Sequence, residues 1–186
     1  MKKDRLLSLF LPLSLGLLSA CGGSNEQAAE AAANTAAPAD VVTDMTVGAI
    51  PAPDAAELAA FKAATRKLYD FKEKAFAEGK ADPLVNRFYA ENATSVGPEG
   101  KPYEGRAAYK ANYEKVVAAY NVKVEPIRSY VNGNAGWEWA NFYVTPKDPN
   151  SKEKPFTFVI LFLWTKVDGQ WVSAGDAYVV GQFPKN

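Results

Sequence analysis

Two tight-turn signals govern the second half of this chain: Asn132-Gly133-Asn134 and Asp168-Gly169 each stand between long runs rich in apolar residues. Asn-Gly and Asp-Gly are what two-residue β-hairpin loops require, because the central residues of those turns sit at positive φ. The pattern predicts strands over 122–131 and 136–145 about the first turn, and over 156–167 and 170–180 about the second. Segment 156–164 is apolar on both alternations, as expected of a central strand covered on two faces.

The segment before those hairpins reads as helical. Pro53-Asp54 followed by Glu57 resembles a capping box, and Leu58, Phe61, Leu68, Phe71 and Phe76 recur near helical spacing until Gly79 supplies a stop. Asp82-Pro83 reads as N-cap and first position of a short helix through Leu84, Val85, Phe88 and Tyr89. A strand over 93–96 ends in Gly97-Pro98-Glu99-Gly100, and a third helix spans about 106–120 with Tyr109, Tyr113 and Val117 on its apolar stripe. Helices first and antiparallel hairpins afterwards make an α+β domain over residues 54–186, a sheet with helices packed on one face.

Composition removes much of catalysis. The chain has no histidine and one cysteine, which excludes Ser-His-Asp and Cys-His mechanisms, imidazole-ligated metals and thiolate-built zinc sites. No metal or cofactor is expected. With 21 basic and 21 acidic side chains there is no basic excess of the kind that neutralises phosphates, so no nucleic-acid partner is expected either.

The first residues state an address. Lys2, Lys3 and Arg5 precede an apolar run from Leu6 to Leu18 that closes on Ser19-Ala20-Cys21-Gly22, the charged, apolar, small-residue order of a secretory signal. The run contains Pro12 and is shorter than the roughly 20 residues that span a bilayer. Leu18-Ser19-Ala20-Cys21 resembles the lipobox of bacterial lipoproteins, in which the cysteine is acylated and becomes the first mature residue. That resemblance implies a signal peptide over 1–20, a lipid such as palmitate on Cys21, and a membrane anchor. Gly22 after the cysteine implies sorting to the periplasmic face of the outer membrane. Loss of Lys2, Lys3, Arg5 and Asp4 takes the 21 basic and 21 acidic side chains to 18 and 20, a net charge near −2. Residues 21–53 hold no aromatic and no basic residue and cannot bury enough apolar surface to order themselves, so they read as a tether.

Between these parts lies a second resemblance. Ala77-Glu78-Gly79-Lys80-Ala81-Asp82, Phe88-Tyr89-Ala90-Glu91-Asn92-Ala93-Thr94 and Tyr103-Glu104-Gly105-Arg106, in this order of elements, resemble the NTF2-like superfamily in its SnoaL-like or DUF4440-like branch. The resemblance implies a cone, a curved antiparallel sheet with one long and two shorter helices on its concave face, enclosing a pocket. On 136–145 the alternation gathers Trp137, Trp139, Asn141 and Tyr143 on one face and Glu138, Ala140, Phe142 and Val144 on the other; on 171–180 it gathers Ala174, Asp176 and Tyr178. Laid over the family's hairpins, the Trp137 and Asp176 sets fall inside the cone. The expected pocket is therefore walled by Trp137, Trp139, Tyr143 and Tyr178, with Asn141 and Asp176 as polar points, and suits a small, partly apolar ligand.

Ketosteroid isomerases of that superfamily use an Asp after the first strand, a Tyr on the long helix and a protonated Asp on a late strand. The matching positions here are Gly97, Lys72 and Leu163, and the histidines that many DUF4440-like chains place beside the last-strand Asp are Gly175 and Ala177. The first reading is accordingly a membrane-tethered lipoprotein that binds a small ligand or a protein partner without catalysis. The second is a SnoaL-like lyase or isomerase using Asp176 as acid or base with Tyr178 or Tyr143 as proton donor. The third is a structural module with a filled cone that pairs as a homodimer through its outer sheet face.

Overall fold

The computed structural model of the protein describes residues 48–184. The signal-like segment, Cys21 and the expected tether up to residue 47 lie outside the described residues.

Helix α1 (Ala55–Glu78) starts as the sequence indicates: the Asp54 carboxylate accepts from the Glu57 backbone N–H at 2.8 Å. The capping box is only half made, because Glu57 turns its own carboxylate to the Gly133 N–H at 2.7 Å and ties the helix start to the first hairpin turn. Gly79 ends the helix at φ 70°, a conformation glycine adopts without steric cost. Helix α2 (Ala81–Phe88) begins before Asp82, with no side-chain cap, and the Asp82 carboxylate pairs with Lys110 at 2.8 Å instead. Tyr89 opens strand β1 (Tyr89–Val96) rather than closing the helix. A short strand β2 (Pro102–Glu104), absent from the sequence reading, precedes α3 (Gly105–Ala119).

Four long strands follow: β3 (Tyr120–Asn132), β4 (Ala135–Pro146), β5 (Phe156–Val167) and β6 (Gln170–Val180). They form the antiparallel meander that the turns predict, and all six strands make one curved sheet in the order β2-β1-β6-β5-β4-β3. The sheet is mixed, not wholly antiparallel, because β1 runs parallel to β6. A parallel neighbour needs a long crossover, and α3 with the whole meander supplies one.

The core lies between helices and sheet and is built from rings: Tyr69 of α1, Phe88 of α2, and Phe162 and Trp164 of β5 meet with centroids 5.2 to 6.1 Å apart. Lys147, just past β4, donates to the carbonyls of Phe76 at 2.5 Å and Val117 at 2.7 Å, satisfying C-terminal carbonyls of α1 and α3.

Two local features place the site. Ala174 is an extra residue in β6, where the register with β5 shifts between Leu163 and Trp164, so that both Ser173 and Asp176 face inward. Next to it, a side chain on Gly175 would bring its Cβ to 2.5 Å from the Thr94 carbonyl oxygen. Only glycine lets β1 come this close to β6, and that approach sets Ser95 opposite Asp176 in the register.

Candidate functional site

Asp176 is the polar centre of the interior. It is 7% exposed, and one carboxylate oxygen accepts from the Ser95 hydroxyl at 2.5 Å. Burial raises its pKa, opposed by the positive charge of Lys72, by Ser95, and by the hydroxyls of Tyr89 and Tyr109. Its negative charge in turn raises the pKa of Tyr89, Tyr103, Tyr109, Tyr113 and Tyr178, in each case after burial as the larger cause except at Tyr89, where the neighbouring Tyr113 also precedes it. One carboxylate is therefore felt by tyrosines from β1, β2, α3 and β6.

Lys72 is fully buried. Its ammonium donates to the Tyr89 hydroxyl at 2.7 Å, and that hydroxyl lies 2.6 Å from the hydroxyl of Tyr113. It faces the ring of Phe88 at 4.0 Å, with Tyr89, Tyr113, Phe162 and Phe142 between 4.9 and 5.5 Å. Among the described residues no ion pair within 4.0 Å joins Lys72 to Asp176. Desolvation, only partly offset by the Asp176 charge, brings the Lys72 pKa down to about 7.

Tyr109 completes the group. Its ring packs on Tyr89 at 4.0 Å and Tyr103 at 4.9 Å, and its hydroxyl is close enough to Asp176 to lower that group's proton affinity. Yet this buried hydroxyl makes no normal hydrogen bond to any described protein atom. Tyr103 and Tyr178, both half-buried, stand between the group and solvent, with the Tyr178 hydroxyl close against Gly97.

The structure thus brings Asp176 and Tyr178 inside, as the alternation on the last strand predicts. It does not bring Trp137, Trp139, Asn141 and Tyr143 with them. On β4 the inward face carries Glu138, Ala140, Phe142 and Val144, and Glu138 is fully buried. It accepts from Tyr69 at 2.7 Å and Ser129 at 2.6 Å, while burial holds its pKa up. Alternation assigns residues to two faces but does not say which one meets the helices; the overlay on the family chose the wrong one.

The tryptophan face lies outside and is partly covered by the chain's own end. Phe183 packs on Trp139 at 5.4 Å, and its backbone exchanges bonds of 3.0 and 3.3 Å with the Asn141 side chain. Trp137 stacks on Tyr130, and Tyr143 donates to Glu125 at 2.5 Å. Leu163 and Val179 on β5 and β6 are about half exposed, at 50% and 56%.

The open pocket of the sequence reading is also corrected. A hollow of about 290 Å³ is bordered by Lys62, Arg66, Pro126, Ile127, Ser129 and Glu138, and one of about 340 Å³ lies by Gly79, Asp82 and Glu114. Neither reaches Asp176, whose neighbours include Tyr89, Tyr103, Tyr109, Tyr113 and Tyr178.

Sequence reasoning missed Lys72, Ser95, Tyr89, Tyr109 and Tyr113 as members of a polar site. One signal was present: Lys72 follows Leu68 and precedes Phe76 by one helical turn each, a charge set in the apolar stripe of α1.

Residues 65–174, more than half of the chain, match the SnoaL-like domain family. The chain belongs to that family. No curated protein sequence matches it. Among solved structures this SnoaL-like domain is similar to an NTF-2 like protein of unknown function from Shewanella oneidensis, at 18% identity and a TM-score of 0.55, covering 63% of this chain and 97% of that one. It is similar to a putative scytalone dehydratase from Novosphingobium aromaticivorans, at 13% identity and a TM-score of 0.57, covering 67% and 86%. A ketosteroid isomerase-like protein from Erwinia carotovora atroseptica gives 18% identity and a TM-score of 0.53, covering 67% and 96%. At these identities the likeness is one of fold, and the SnoaL-like cone is the frame in which the Asp176 group sits.

Proposed function

We propose that the SnoaL-like domain binds a small, partly apolar ligand bearing a hydroxyl or carbonyl group at the Asp176, Lys72 and Tyr109 cluster. In this reading it does so without catalysis, held at the periplasmic face of the outer membrane by a lipid on Cys21. The observation that carries the reading is the buried Tyr109 hydroxyl, which makes no hydrogen bond of ordinary length and angle to a protein group although it sits beside Asp176. Buried hydroxyls nearly always have partners, and a ligand oxygen supplies one. A second consideration supports it: two buried charges that do not touch are costly, and a core selected for stability alone does better with apolar side chains. Entry requires Tyr103 and Tyr178, both only partly buried, to swing aside.

Two-dimensional NMR of the full-length protein with phenol, acetophenone and benzoate at millimolar concentration tests this. The expected shifts fall on Ser95, Tyr109, Tyr178 and Asp176. Shifts confined to Trp137, Trp139 and Tyr143, or none with any probe, would overturn the reading.

The raised pKa of Asp176 favours a second reading, a lyase or isomerase in which this carboxyl moves a proton and Tyr178 donates one. The names of the Novosphingobium and Erwinia proteins agree with such chemistry for those proteins. Proton exchange from acetophenone methyl groups into D2O, present in the wild type and absent in Asp176→Asn, would establish it; equal exchange in both would remove it.

A further inference from the structure

We infer that the outer face of the sheet carries a peptide-binding site, built by Trp139, Asn141 and Arg128, for an extended segment of a partner protein bearing an aromatic side chain. The chain's own Gln182 and Phe183 occupy this site in cis. The site lies on the face opposite Asp176 and is independent of the interior ligand.

Asn141 is the anomaly of this face. Its register neighbours across β5 and β6 are Val159 and Val179, on the outside of the sheet, yet its own side chain is fully buried. The tail covers it: the Phe183 N–H donates to Asn141 Oδ1 at 3.0 Å, and Asn141 Nδ2 donates to the Phe183 carbonyl at 3.3 Å. The N–H and C=O of one residue point to the same side in extended backbone, as in the hydrogen-bonded pairs of an antiparallel ladder. The Asn141 amide takes the place of a neighbouring strand, aiming one donor and one acceptor at an extended residue whatever its side chain. In strand-like recognition of this kind the main chain gives affinity and adjoining pockets give specificity. Here the pocket suits a ring. Phe183 stands edge-on to Trp139 with centroids 5.4 Å apart, and the Arg128 guanidinium lies 5.9 Å from the centre of the same ring.

The tail sits there as a ligand sits, not as part of the ladder. It leaves β6 at Gly181, whose φ of 141° is a conformation that L side chains rarely adopt, and crosses β5 to reach β4 without pairing to either as a strand. Its other bonds are long: 3.4 Å from the Gly181 N–H to the Thr157 carbonyl, and 3.2 Å from the Gln182 side chain to the Tyr143 hydroxyl. Phe183 stays partly exposed, and the tail leaves Leu163 and Val179 on the same face about half bare. A longer segment that also covers those apolar side chains gains burial that the tail forgoes. A short tether gives the tail an effective concentration on the order of millimolar, and that extra burial is what lets a partner displace it.

The test uses full-length wild type and full-length Phe183→Ala, and as probe an acetylated, amidated peptide copying residues 179–184, with a second peptide in which alanine replaces its phenylalanine. Phe183 lies beyond the last strand, so the variant keeps the fold. The expected result is binding of the first peptide to Phe183→Ala about tenfold or more tighter than to wild type, because the tail no longer competes. NMR shifts should fall on Trp139 and Asn141 and leave Tyr109 unmoved, and the alanine peptide should bind neither protein. No binding at millimolar peptide, equal affinity for the two proteins, or equal binding of the two peptides would overturn the inference. A wild type that dimerises in a concentration-dependent way, with the dimer lost in Phe183→Ala, would make the tail of a second copy the occupant and overturn the assignment to a partner protein.

Discussion

The Lys72 ammonium donates to the Tyr89 hydroxyl and not to the Asp176 carboxylate, although both charged groups lie in one ring-walled interior. This separation has a consequence for stability. With a native pKa near 7 against an ordinary value of 10.5, Lys72 binds fewer protons in the folded chain than in the unfolded chain between those two values. Stability therefore rises with pH across that window, by at most about 1.4 kcal/mol per pH unit. Below pH 7 both states hold the proton and the penalty is constant. Asp176, raised from 3.8, acts in the opposite sense and on the acid side, its contribution falling as pH climbs through the window above 3.8. Urea unfolding at pH 7.0, 8.0 and 9.0 should show a rise in the wild type that Lys72→Met lacks. Parallel profiles for the two proteins would contradict a depressed Lys72.

The close approach of β1 to β6 makes a sharp prediction at Gly175. Its φ is not positive, so alanine would suffer no intrinsic backbone strain, only the 2.5 Å contact with the Thr94 carbonyl. Backbone cannot yield as a side-chain tip does. Gly175→Ala should cost about 2–4 kcal/mol. It should also part Ser95 from Asp176, seen as a shift of the Ser95 resonances. A loss below about 0.5 kcal/mol would mean that the two strands are not locked at this point.

Tyr69 and Glu138 form a second buried polar contact, at 2.7 Å, with both side chains shielded from water. Tyr69→Phe removes one of the donors that satisfy the carboxylate, leaving Ser129 and Thr65. The expected loss is about 1–3 kcal/mol in denaturant unfolding, and a protein as stable as the wild type would show that Glu138 is held without Tyr69.

Much of this architecture is legible in the residues themselves. Asp54, Gly79 and Asp168-Gly169 act locally, through caps and turns that need no distant partner, and the structure places each where those rules require, while the first hairpin turns one residue later than Asn132-Gly133, on Gly133-Asn134, with Asn132 paired to Ala135. The site is less legible because it is made by long-range approach. Ser95 and Asp176 are 81 residues apart, and only the parallel pairing of β1 with β6 sets them side by side. The inversion at Trp137 and Glu138 has the same origin: a period of two fixes the faces, while the choice between them depends on where the helices pack. Tyr109 and Tyr113 read as core because a tyrosine's ring and its hydroxyl serve packing and chemistry at once.

The proposed lipid anchor on Cys21 predicts a simple fractionation result. Cys21→Ala should abolish labelling by palmitate and move the protein from the membrane pellet to the soluble fraction. Retention of the variant in the pellet would show that something other than an acyl chain on Cys21 holds it there.

Native mass spectrometry of the gently purified full-length protein tests the interior site most directly. The account predicts a fixed mass increment, above polypeptide and any acyl chains, that survives mild activation in the wild type and is lost in Asp176→Asn. A wild type that flies without any such increment, or a variant that carries the same one, would contradict it.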